Sequence, residues 1–116
     1  MNENSLPLIL ETLGVTGNYL GHNLTVEAVQ LLADSHGYAS VSLRHTVYES
    51  LARVRGCSWQ QVERNLRTAV QRAWRINRDG LRALCSYPLR TTPSVGEFLD
   101  ILLTYKLRHP NDGMEK

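Results

Sequence analysis

An all-α fold of about six helices around a central helix-turn-helix is what this sequence predicts, and three observations carry the prediction. Apolar residues recur at three- and four-residue spacing in six separate stretches, no stretch alternates apolar and polar residues cleanly, and Gly, Pro or a capping hydroxyl residue punctuates the stretches. With 116 residues the chain is read as a single domain, 1–116, large enough for one hydrophobic core.

The first helix is expected from Ser5 to Leu13, with Leu6, Ile9, Leu10 and Leu13 on one side and Gly14 as its stop. A second is expected from Thr25, read as its cap, to Ser35; Val26, Val29, Leu32 and Ala33 form its apolar side, Gly37 breaks it, and an earlier start near Tyr19 is open. Leu43 to Val54 is a third, with Leu43, Val47, Leu51 and Val54 at core spacing and Gly56 placed to end it. Gly56 and Cys57 form a short turn, and Ser58 with Gln61 three residues later makes a capping box for the fourth helix. After it, Asp79 to Cys85 is a short helix anchored by Leu81 and Leu84. Residues 87–93 are an extended linker, because Pro88 and Pro93 each bias the preceding residue away from helix. Ser94 caps a last helix to Leu107, supported by Glu97 at capping-box spacing, with Val95, Phe98, Leu99, Leu102 and Leu103 as its core stripe. Residues 109–116, polar and carrying Pro110 and Gly113, read as a loose tail.

The fourth helix, 58–75, carries the chemistry. At about 100° per residue, Trp59, Val62, Leu66, Ala69, Val70 and Ala73 fall on one arc and Gln60, Arg64, Arg67, Thr68 and Gln71 on the opposite one. One face packs and the other is free to read bases: an arginine fork matches a guanine edge, glutamine pairs with adenine, glutamate accepts from cytosine, and threonine meets a phosphate or a thymine methyl. A solvated arginine-rich surface would show the same periodicity. The helix before it and the short glycine-bearing turn favour the helix-turn-helix reading, in which the second helix enters the major groove.

Charge points the same way. Residues 1–43 hold Glu3, Glu11, Glu27 and Asp34 and no Lys or Arg, whereas residues 44–90 hold ten arginines against Glu49, Glu63 and Asp79, a net +7 inside a chain of formal charge +2. A basic middle third attracts a phosphate backbone through counterion release, and arginine rather than lysine suits bidentate contacts. An acidic protein partner would be attracted too.

Other classes fit poorly. No run approaches the roughly 18 apolar residues of a membrane span, and no basic-then-apolar leader begins the chain, so a cytoplasmic protein is expected. Cys57 and Cys85 are too few for a disulfide framework, and in a reducing compartment the Asn23-Leu24-Thr25 sequon carries no meaning. His22, His36, His45 and His109 show no ligand spacing and read as satisfied surface or interface histidines; no metal and no cofactor is expected. Ser42 or Cys57 with His45 would make a nucleophile and base, but nothing orients them, and Gly14 and Gly17 do not continue into a phosphate-loop signature. No enzyme is expected.

From Ile9 to Leu107 the sequence resembles the DNA-binding effector domains of the sporulation master response regulator, stage-zero factor A. The resemblance rests on Leu13-Gly14-Val15 with Gly21, on Val62-Glu63-Arg64 followed by Arg67, Ala69 and Ala73-Trp74, and on Pro93 with Glu97-Phe98. It implies a six-helix, winged-helix-like effector domain without a clear wing, whose fourth helix lies in the major groove of boxes similar to TGTCGAA and which regulates transcription. Residue by residue it implies Arg64 as guanine reader, Glu63 as cytosine partner and Arg67 as a further contact. Gln61 stands where the family usually has arginine and Thr68 where it usually has histidine, so a basic contact and a ring contact are missing while the C-G step is kept. The DNA-binding set read from the sequence is Gln60, Gln61, Glu63, Arg64, Arg67, Thr68, Gln71 and Arg75.

The resemblance also implies partners: double-stranded DNA, and an RNA polymerase sigma factor or a second copy through the last helix. Family members carry a receiver domain ahead of this effector, and only eight residues precede the resemblance here, so the chain reads as a fragment of a longer regulator or as a stand-alone effector. A free monomer that pairs only on tandem boxes is the expectation. The other open reading is a protein-binding module that kept the fold and turns its arginine face to an acidic partner or a related regulator.

Overall fold

The computed structural model describes residues 6–34 and 44–108, apart from the Arg44 side chain. The expected tail at 109–116, Ser5, His36, Ser42 and Leu43 lie outside them. Among the described residues there are six α-helices, α1 (Leu6–Thr12), α2 (Leu20–Asp34), α3 (Glu49–Arg55), α4 (Trp59–Ile76), α5 (Arg78–Leu84) and α6 (Val95–Arg108), with a π-helical turn at Arg44–Tyr48 leading into α3. No strand occurs among the described residues.

The core is assembled around α4. Val62, Leu66, Ala69, Val70 and Ala73 are buried on its inner side, as the periodicity requires, and meet α2, α3, α5 and α6. From α6, Val95, Phe98, Leu99, Leu102 and Leu103 are buried, with Phe98 fully so. The axes of α2 and α4 come together at Gly21, where an added Cβ would lie 2.7 Å from the Asn65 carbonyl oxygen. Only glycine permits that approach.

Three local readings are corrected. Thr25 is not the cap of α2: the helix starts at Leu20, and Thr25 sits inside it, fully buried, its hydroxyl donating to the Gly21 carbonyl at 2.6 Å. A threonine preceding an apolar run caps a helix only if its backbone leaves helical geometry, and a bond back to the residue four earlier is the interior alternative. Val54 is not core but 82% exposed. Tyr48 and Ala52 are buried beside Val47 and Leu51, which centres the inner arc between the two rows and leaves Val54 about 90° away. The capping box of α6 is half made. Ser94 Oγ accepts the Glu97 N–H at 3.1 Å, while the Glu97 carboxylate accepts the Tyr87 hydroxyl at 2.6 Å.

The turn between α3 and α4 follows the sequence closely. Gly56 closes α3 with φ +69°, its N–H donating to the Ala52 carbonyl, and Ser58 begins α4 with both halves of its capping box to Gln61. A cap that the sequence did not reveal joins α4 to α5: Asn77 Oδ1 accepts the Gly80 N–H at 2.9 Å while its amide donates to the Thr12 carbonyl at 2.8 Å. One side chain thereby caps α5 and ties α1 to the end of α4.

Candidate nucleic-acid interface

Because α4 buries one arc, the opposite one has to face outward. Gln60, Arg64, Arg67, Thr68, Gln71 and Arg75 are all exposed along it. Gln60, Arg64, Gln71 and Arg75 have no side-chain partner among the described residues. Thr68 donates its hydroxyl to the Arg64 carbonyl at 3.0 Å, which leaves its methyl and an oxygen lone pair outward. Arg67 pairs with Glu63 at 3.0 Å, one turn back on the same flank. Gln61, exposed as a residue, holds its side-chain oxygen on the Ser58 N–H at 3.0 Å. The eight residues singled out by the sequence thus share one helix, but four stand free and four are engaged within it.

The nine arginines of the middle third whose side chains are described divide by what they touch. Arg55 pairs with Glu27 at 2.7 Å and ties α3 to α2. Arg72 donates through Nε to the Gly14 carbonyl at 2.6 Å and lies 4.4 Å over the Tyr19 ring, which fixes the loop after α1 against α4. Arg78 and Arg82 lie 4.6 and 5.4 Å from the Trp74 ring, and Arg82 also donates to the Leu89 carbonyl at 2.9 Å. Trp74 is half-buried beneath them and packs against the core. The Trp74, Arg78, Arg82 spacing of four was a readable sign of cation–π stacking. Arg53, Arg64, Arg75 and Arg90 remain exposed with no partner among the described residues.

Beside the Glu63–Arg67 flank a cleft of about 480 Å³ opens between Tyr48, Glu63, Arg67, Val70 and Gln71 on one wall and residues 92–96 on the other. Tyr48 stacks on Trp59 with ring centroids 6.3 Å apart. Burial pushes its phenol up from 10.0 to about 12, helped by the nearby Glu63 carboxylate and opposed by Arg67. A raised folded pKa means stability that is whole below the unfolded value and is lost as pH climbs through the folded one. Wild type is therefore expected to lose stability between about pH 10 and 12 relative to Tyr48→Phe, which has no proton to hold. Parallel denaturant melts across that window test it; matching pH profiles would remove Tyr48 as the cause.

Of the two histidines among the described residues, His22 differs from expectation. His22 is buried, with Nδ1 3.3 Å from Asn23 Oδ1 and Nε2 lacking a hydrogen-bond partner, while His45 is exposed beside Glu49. Cys57 is an exposed free thiol in the turn, and Cys85 is half-buried with its thiol pushed up by burial. Among the described residues no group of three or more His, Cys, Asp or Glu is placed to hold a metal ion, and no helix is long and apolar enough to cross a membrane.

An all-α core thus presents one arginine- and glutamine-bearing helix, entered by a three-residue turn, with its polar arc outward. The chain belongs to the family described as sporulation initiation factor Spo0A C terminal, whose model matches residues 7–106. It is thus a DNA-binding effector domain of a sporulation regulator. No curated protein and no solved structure matches it.

Proposed function

We propose that the chain is a sequence-specific transcription regulator whose helix α4 enters the major groove of boxes similar to TGTCGAA. The observation that carries this is the outward column of α4, where Gln60, Arg64, Gln71 and Arg75 are exposed and unengaged directly above a fully packed inner face. Arg64 stands at the centre of that column and reads guanine through its fork, Arg67 and Arg75 meet phosphates, Thr68 offers a methyl, and Glu63, on the flank, is the cytosine partner once Arg67 moves to a phosphate. Gel-shift or fluorescence titration against duplexes with and without such a box tests the function. Equal affinity for both would refute it.

One recognition helix offers limited buried surface, so tight binding calls for two copies on adjacent boxes. In this reading the domain is monomeric when free and pairs on tandem sites, and α6 offers its outer face to the second copy or to a polymerase sigma factor. A stable dimer without DNA, seen by sedimentation, would overturn the assembly.

The contacts separate by substitution. Arg64→Ala is expected to cost about 1–3 kcal/mol and to relax preference at one base pair, whereas Arg75→Ala weakens all duplexes alike. Titration of both variants against a panel of single-base-pair changes distinguishes these outcomes, and uniform loss from both would remove Arg64 from base reading.

A further inference from the structure

Gln60 and Gln61 stand side by side at the start of α4, and helix geometry alone does not choose between them. At about 100° per residue they flank the direction of Arg64 by about 40° and 60°. Their hydrogen bonds do choose. The Ser58 N–H donates to Gln61 Oε1 at 3.0 Å, the Ser58 hydroxyl lies 3.4 Å from the same oxygen, and the Gln61 N–H returns a bond to Ser58 Oγ at 3.2 Å. Reading adenine takes both ends of a glutamine amide: Oε1 accepts from N6 while Nε2 donates to N7. Gln61 has already placed its Oε1 on the helix start, where releasing it would strip the N-cap of half of its reciprocal box. Gln60 is exposed and has no side-chain partner among the described residues, so its amide is free to turn flat against a base edge.

We infer that Gln60 is the adenine-reading residue of this domain, and that Gln61 is a positioning residue that fixes the helix start without touching a base. The inference rests on the major-groove function proposed above and adds a specificity determinant to it. Gln60 and Arg64 are one helical turn apart, a rise of about 6 Å, so their targets are neighbouring or next-neighbouring base pairs. The N-terminal turns of a recognition helix are also the part that approaches base edges most closely. The result is an adenine required one or two steps from the guanine read by Arg64.

A pool of duplexes randomised around that guanine, selected with wild type, Gln60→Ala, Gln60→Arg and Gln61→Glu, tests the assignment. Wild type should select adenine at one position beside the guanine. Gln60→Ala should lower that selectivity roughly 5- to 100-fold while leaving affinity for adenine-free duplexes unchanged, and Gln60→Arg should shift the choice at the same position toward guanine. Gln61→Glu keeps an acceptor for the Ser58 N–H, so it should preserve every base preference and weaken all duplexes alike through its added charge. Retention of the adenine preference in Gln60→Ala, or its loss in Gln61→Glu, would overturn the assignment. A wild type that selects no guanine and no other base would instead remove the groove-reading function on which it rests.

Discussion

Leu66→Ala is expected to lower the stability of the domain by about 2–5 kcal/mol, measured as a shift in denaturant midpoint at unchanged slope. Leu66 is 1% exposed and lies at the middle of the buried arc of α4, the helix that contacts α2, α3, α5 and α6. Truncation removes its transfer energy and leaves a cavity lined by several helices at once. Such a site relaxes poorly because moving any one wall strains the others. The upper half of the range is therefore the expected outcome. Arg64→Ala serves as the control, since Arg64 is exposed on the opposite arc and its loss should leave the midpoint within about 0.5 kcal/mol. A stable Leu66→Ala beside a destabilised Arg64→Ala would mean that the two faces of α4 are exchanged.

What the sequence disclosed was local. The turn at Gly56, the box of Ser58 with Gln61 and the two faces of α4 each depend on residues within a few positions of one another, and all three are present in the structure. What it withheld was set by distant partners. Thr25 has the residue type of a cap, but the helix begins at Leu20, close to the start near Tyr19 that the sequence left open, and Gly21 there packs against the α4 backbone. Glu97 has capping-box spacing, yet Tyr87, ten residues upstream, reaches its carboxylate first. Val54 has core spacing, but burial of Tyr48 and Ala52 rotates the inner face away from it.

The candidate site divides on the same line. Exposure of Gln60, Arg64, Arg67 and Gln71 followed from period alone, because a helix with one apolar arc has only one place for its polar side chains. Composition could not show which arginines were available. Nothing near Arg72 in sequence announces the Gly14 carbonyl 58 residues away, and nothing near Arg55 announces Glu27. A net charge counts all of these equally, whereas DNA meets only those that protrude.

That difference is measurable as a salt slope. Among the described residues Arg53, Arg75 and Arg90 are exposed and free, and Arg67 is exposed in a surface ion pair that a phosphate can replace; Arg64 is assigned to a base, Arg78 is stacked over the Trp74 ring, and Arg55, Arg72 and Arg82 are held by the protein. About four phosphate contacts per domain give a slope of about −3.6 for log affinity against log salt, or roughly a hundredfold loss between 50 and 200 mM. If all ten arginines acted, the slope would be about −9 and the loss would exceed 10⁵-fold over the same interval. Titration of one box at several salt concentrations separates the two. A slope near −9 would mean that Arg55, Arg72 and Arg82 leave their partners on binding, at the cost of their contacts with Glu27, the Gly14 carbonyl and the Leu89 carbonyl. A flat response would show that the exposed arginine face does not meet a phosphate backbone and would transfer the case to an acidic protein partner.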